Sequence, residues 1–321
     1  MTDDTRPVAA TPGSDEAEEE GEPRGGTVGR FFLLPLLVVG TAVGIFLVFN
    51  VMTFDRRSPA GYLDEVRGGS ANRRWQAAFE LSRAVGRVPP GPEREALVAQ
   101  TVRVFEGLSR TRADDVPVRR YLVLVLGKLG DPTAVPAVLA AAKDPDPETR
   151  LYAVWALGVL GEKRALPVVL DSSISEDSGA RKMAAYVLGR LQDPRAVPRL
   201  RVLLEDPVAD VRWNAAIALA TLKDRSALPV LRSMIDRAAL ARQASLSADQ
   251  SETAMVNALK AFAQLADSES LSAIEKVARE DPNLRVREEA RRAAEATRAA
   301  VSRAPAKTSR NLERRARLLI G

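Results

Sequence analysis

The sequence predicts an all-α chain: an α-solenoid, a right-handed superhelix of stacked helix pairs, behind one transmembrane helix. Two observations lead there. Residues 31–54 form an uncharged apolar run, and the chain beyond it repeats with a period of 31 residues. A third observation bears on function: the 321 residues contain no cysteine and no histidine.

Residues 1–30 hold eight acidic side chains against three arginines, whereas the whole chain carries a net charge of +5. With Pro, Gly, Ser and Thr scattered through it and no apolar periodicity, this acidic tail buries too little surface to offset its ordering entropy. It is expected to be disordered.

The run at 31–54, FFLLPLLVVGTAVGIFLVFNVMTF, has only Thr41, Asn50 and Thr53 as polar side chains. A helix needs about 20 such residues to cross a hydrocarbon core of roughly 30 Å. The run is too long for a cleaved signal segment, follows acidic rather than basic residues, and has no small-residue cleavage pattern close behind it. Arg24 and Arg30 flank it on one side, and Arg56, Arg57, Arg67, Arg73 and Arg74 on the other. Positive charge collects on the cytoplasmic side, so a single-pass protein of an inner membrane with cytoplasmic repeats is expected. Residues 55–60 read as a short linker. The lack of cysteine suits either side, since a repeat protein needs no disulfides.

Three stretches align without a gap: DPTAVPAVLAAAKDPDPETRLYAVWALGVLG from Asp131, EKRALPVVLDSSISEDSGARKMAAYVLGRLQ from Glu162, and DPRAVPRLRVLLEDPVADVRWNAAIALATLK from Asp193. Pro136, Pro167, Pro198 and Pro229 keep the spacing, as do Arg119, Arg150, Arg181 and Arg212. Each proline falls in the first turn of a helix A, where its missing N–H would be unpaired in any case. Turn formers such as Asp144-Pro145-Asp146-Pro147 then separate helix A from helix B. Counted from the repeated arginine, positions 3, 7 and 10 of helix B are always Leu or Ala, which is one helical face. Position 8 is Gly127, Gly158, Gly189 or Ala220, small enough for a neighbouring backbone to approach closely.

With these motifs the chain resembles the HEAT-repeat superfamily, in particular the short bacterial HEAT-like units also found in phycobilin lyases. The resemblance covers residues 61–304 and implies about seven helix pairs: 62–85, 93–130, the three 31-residue units, 225–267 and 268–303. The sixth is stretched, and its extra dozen residues fall in RAALARQASLSADQSETA, 237–254, read as a longer connecting segment.

No catalytic residue is expected. Without His and Cys the common zinc, haem and triad arrangements are closed off, and no phosphate-binding loop is present. The acidic pairs Asp144/Asp146, Glu176/Asp177 and Glu205/Asp206 recur where turns and N-caps require them. No cofactor or metal is expected. The resemblance does leave a lyase-associated module acting on a cofactor-bearing protein as an alternative function, and a nucleic-acid binder as a second. The membrane run and the interleaving of charges in the repeats argue against nucleic acid.

The expected function is a non-catalytic, protein-binding scaffold or assembly adaptor. In the HEAT family the repeated arginine pairs with an acid of a neighbouring turn, which implies a structural ladder of Arg119, Arg150, Arg181 and Arg212; ligand binding is the other reading. Positions 2, 5 and 9 of the B helices form a candidate concave ridge: Phe79, Tyr121, Leu124, Tyr152, Trp155, Met183, Tyr186, Arg190 and Ile217, with Arg83 and Lys128 at its rim. Such an apolar, aromatic stripe rimmed by base suits a peptide groove, or else is buried between neighbouring B helices. Residues 305–321 form a basic C-terminal tail able to touch an anionic lipid surface, or simply solvated.

Overall fold

The computed structural model describes residues 26–53, 58–243 and 246–320, and describes side chains at 35–48, 58–243 and 246–303. Residues 1–25 of the expected acidic tail lie outside the described residues. Among the described residues every element is helical, and the chain divides into two compact units, Met1–Arg56 and Arg57–Gly321.

The first unit contains helix α1, Gly26–Thr53. It opens five residues before the apolar run and so takes in the end of the segment expected to be disordered. Its side chains at 36–39 and 45–48 are apolar and exposed, and Thr41 Oγ1 returns its hydrogen to Leu37 O at 2.7 Å. Among the described residues no helix is long and apolar enough to cross a membrane.

Among the described residues the second unit holds seven helix pairs. They are α2 (Pro59–Gly68) with α3 (Ala71–Ala84), α4 (Pro92–Gly107) with α5 (Val116–Leu129), and α6 (Val135–Ala141) with α7 (Pro147–Leu160). Next come α8 (Leu166–Ser172) with α9 (Ser178–Leu191), and α10 (Val197–Leu203) with α11 (Ala209–Thr221). Then follow α12 (Leu228–Met234), the short α13 (Arg237–Ala241) and α14 (Ala248–Leu265), and finally α15 (Leu271–Glu280) with α16 (Leu284–Ile320).

Three boundaries differ from the sequence expectation. Ser58 caps α2 and Pro59 opens it, so the expected 55–60 linker has ended by Ser58. The inserted segment is not merely a connection: it forms α13, and it lengthens α14 through the capping box of Ser247 and Gln250. Residues 305–320, expected as a basic tail, are helical as the end of α16.

The B helices α3, α5, α7, α9, α11, α14 and α16 pack in that order, and each A helix lies on its own B helix. The repeated Leu/Ala face forms the core: Leu122, Leu126, Leu157, Leu188 and Leu219 are fully buried. Truncating any of them would cost about 2–5 kcal/mol. The small residues at position 8 set the spacing of the layer. A methyl group on Gly189 would lie 2.7 Å from Ala218 Cβ, and one on Gly158 would lie 2.8 Å from Val187 Cγ2. Each B helix from α5 to α14 ends on a left-handed residue or just before one: Gly130, Gly161, Gln192, Lys223 and Ala266.

Candidate functional site

The repeated arginine organises the turns. Arg150, Arg181, Arg212 and Arg287 each donate Nη1 hydrogens to the two carbonyls six and five residues earlier, for example Arg150 to Asp144 O and Pro145 O, both at 2.8 Å. These carbonyls follow helix A and have no partner in it, so the guanidinium closes each A–B turn. Arg119 does the same for Phe105 O and Leu108 O.

Only two of the four expected ladder residues also reach the next repeat. Arg119 binds Asp144 Oδ2 through Nε at 3.0 Å and Nη2 at 2.6 Å, and Arg181 binds Asp206 through Nε and Nη2 at 2.7 and 3.1 Å. The residue six before the following arginine decides this. It is Asp144 for the first rung and Asp206 for the third, but Ser175 after Arg150. After Arg212 the repeat is interrupted, and α14 carries buried Met255 at the arginine position. There Arg237 of inserted helix α13 supplies the cation, binding both oxygens of Asp281 at 2.7 Å. The insertion thus replaces the rung that its own repeat lacks.

The acidic turn residues are occupied by capping. Asp146 accepts from Thr149 N at 2.8 Å and Asp177 from Ala180 N at 2.6 Å. Arg120 binds Asp146 through two nitrogens at 2.8 and 2.7 Å, and this pairing holds the Asp146 carboxyl down at about 2. Among the described residues no group of His, Cys, Asp or Glu converges to hold a metal ion.

The candidate ridge is partly packed and partly open. Tyr121, Tyr152, Trp155, Met183 and Ile217 rest half-buried on the core, Leu124 is half-buried, and Phe79 and Tyr186 remain 36% and 41% exposed. At one end Phe79 meets Tyr121 edge to face, with ring centres 5.3 Å apart, and the Arg83 guanidinium lies 5.7 Å from the centre of the Phe79 ring. Lys128, expected at the rim, is tied down by a 2.7 Å bond from its Nζ to Ser82 O. Burial and the neighbouring Glu148 push the Tyr152 phenol up. Trp155 fits over Gly127, where an added methyl would lie 2.6 Å from Cζ3 of the indole.

At the other end Met183, Tyr186 and Ile217 open into a cleft of about 430 Å³ between α9, α11 and α14. Arg190 is exposed at the end of α9 but does not line this cleft. The cleft also contains residues absent from the sequence-based ridge: Trp213 and Asn214 of α11, and Leu246, Asp249, Gln250 and Asn257 from or after the insertion. Trp213 stands four residues before Ile217, as Lys182 does before Tyr186 and Trp75 before Phe79. Pairs four apart share a helix face, so position 1 lies beside position 5, exposed at Trp75 and Lys182 but buried at Trp213.

The repeat architecture has a match among protein families. A family model described as HEAT repeats matches residues 106–179 and 173–248. Across 106–248 the chain is therefore similar to HEAT repeats. No curated protein matches the chain in sequence. Among solved structures, the complex of CpcE and CpcF of phycocyanin lyase from Nostoc sp. PCC7120 is 20% identical, with a TM-score of 0.54 over 75% of this chain and 88% of that one. YibA of Escherichia coli is 16% identical, with a TM-score of 0.49 over 73% and 81%. At 20% identity the likeness to the phycocyanin lyase complex extends to the solenoid fold alone.

Proposed function

We propose that this chain is a non-catalytic protein-binding scaffold or assembly adaptor, anchored in a membrane, that holds a partner polypeptide on the B-helix face of its HEAT solenoid. The observation that carries this reading is the half-exposed aromatic stripe from Phe79 to Ile217, which ends in an open cleft rather than closing into the core. Large amphipathic rings that keep an accessible edge on a rigid layer are the side chains that dominate protein interfaces. Every B helix is pinned to its neighbours, so the surface is preorganised and binding costs little ordering.

The proposal includes three further parts. Residues 31–54 form the single membrane anchor, whose uncharged length suits a span. The repeat region, taken as 61–304, lies in the cytoplasm, following the excess of arginine after the anchor. The basic residues of 305–320 contact an anionic leaflet from the end of α16.

The test is chemical crosslinking and capture from native membranes with the full chain and with Phe79→Ala/Tyr186→Ala. Both side chains are exposed enough to be truncated without opening the core, whereas Trp155 covers Gly127 and would confuse stability with binding. The reading expects discrete partners that the variant loses while its melting is unchanged. Undiminished capture by the variant would remove the ridge as the site. A stoichiometric chromophore copurifying with the chain would favour the lyase-associated alternative.

A further inference from the structure

The cleft at the end of the ridge differs from the rest of the B-helix face in who builds it and in its charge. Leu246, Asp249, Gln250, Thr253 and Ala254 all come from the inserted segment 237–254, so the break in the repeat raises a wall across the groove. The lining has one cation, Lys182, and two carboxylates, Asp210 and Asp249. Lys182 is already paired with Asp210 at 3.2 Å. Among the described residues Asp249 has no ion pair, which leaves the lining one negative charge in excess on a chain whose net charge is +5. Tyr186, 41% exposed, supplies a ring face in the same cleft, which the largely buried Trp213 also lines. Asn214 spends an amide hydrogen on Asp210 O at 2.8 Å, which leaves its amide oxygen as a further acceptor.

Resting on the protein-binding reading above, we infer that this cleft receives an arginine or lysine side chain of the partner polypeptide. Its alkyl stem lies on Ile217 and Met183, its charged head faces Tyr186, and Asp249 is the counter-charge. A cation against an aromatic face gains from the ring quadrupole, and a long basic side chain can bury its stem while keeping the head near a carboxylate. An anionic ligand would meet two carboxylates and a lysine that is already paired, a like-charge arrangement that disfavours it. An apolar side chain would cover Asp249 without compensating the water it loses. The insertion is therefore the specificity element of the scaffold.

A random dodecapeptide display library, panned on the detergent-solubilised full chain, tests this. The expected result is a family of peptides sharing Arg or Lys at one position, each bound about tenfold more weakly by Asp249→Asn, a loss matched by replacing that basic residue with Gln. Thermal melting of Asp249→Asn should fall by no more than a few degrees, because exposed Asp249, in the first turn of α14, contributes at most about 1 kcal/mol there. Peptides that depend on Tyr186 but show no basic preference, or that bind Asp249→Asn equally well, overturn the inference and leave protein binding standing. Failure to enrich any peptide sensitive to Tyr186→Ala overturns both.

Discussion

Arg119→Met isolates the energetic centre of the repeat ladder. The Arg119 and Asp144 side chains are 3% and 0% exposed, the most buried ion pair among the described residues. Methionine keeps an unbranched stem and a polarisable atom near the Phe105 ring, over which the guanidinium now sits at 4.1 Å. It leaves the Asp144 carboxylate buried with only the Asp146 N–H to satisfy it, and it strips the donor from Phe105 O and Leu108 O. Removing one member of a buried pair costs about 3–5 kcal/mol, chiefly through the stranded charge. Arg150→Met removes only bonds to the Asp144 and Pro145 carbonyls at an exposed side chain, a loss of about 1 kcal/mol. All three tryptophans, Trp75, Trp155 and Trp213, lie in the repeats, so fluorescence-detected melting reads this unit in the full chain. Arg119→Met should lower the midpoint by on the order of 10 °C and Arg150→Met by about 3 °C. Adding Asp144→Asn to Arg119→Met should recover most of the loss, since no buried charge remains. Equal shifts in the two single variants, or no recovery in the double, would refute the reasoning.

Other perturbations check other parts of the account. Gly189→Ala gains about 1 kcal/mol of helix propensity but forces a methyl to within 2.9 Å of the Ala218 backbone; overpacking of about 1–3 kcal/mol should win, lowering the melting midpoint, whereas Gly107→Ala, with open space around it, should not. Ala266→Gly relieves a left-handed alanine at the end of α14 (φ 52°) and should stabilise by about 1 kcal/mol in urea titration, while Gly161→Ala (φ 67°) should destabilise by a similar amount. Asp146 is held at about 2 in the fold against an ordinary value near 4, so its contribution is full above pH 4 and fades as pH falls toward 2. Arg120→Gln should therefore be less stable than the parent at pH 7 and converge with it near pH 2; a gap independent of pH would mean that the pairing is not electrostatic.

The stacking was legible because its causes lie close together in the chain. A proline at the first turn, a turn of Asp and Pro, and Leu or Ala at positions 3, 7 and 10 specify each helix pair locally, and their recurrence every 31 residues implies the layer. The individual rungs were less so. Whether an arginine crosses to the next repeat depends on one residue some 25 positions later, Asp144 or Ser175, which a list of repeated arginines does not weigh. The replacement of a rung by Arg237 was hidden, because it stands 18 residues before the Met255 it compensates. The sixth repeat did carry a readable sign, the capping box at Ser247 and Gln250, which marks α14 as starting early. The ridge was traced on positions 2, 5 and 9, and that choice missed Trp213, which at position 1 reaches the cleft lining although it is only 9% exposed. For the anchor, the apolar composition of 31–54 is joined by a helix over 26–53.

The central claim is that the B-helix face of the solenoid is where a partner polypeptide sits. A photo-crosslinking amino acid placed at Tyr186 on that face, and in a separate variant at Val202 on A helix α10, 60% exposed, tests it in native membranes. The account predicts discrete higher-mass adducts from position 186 and none from position 202. Adducts from position 202 alone, or equally from both, would contradict it.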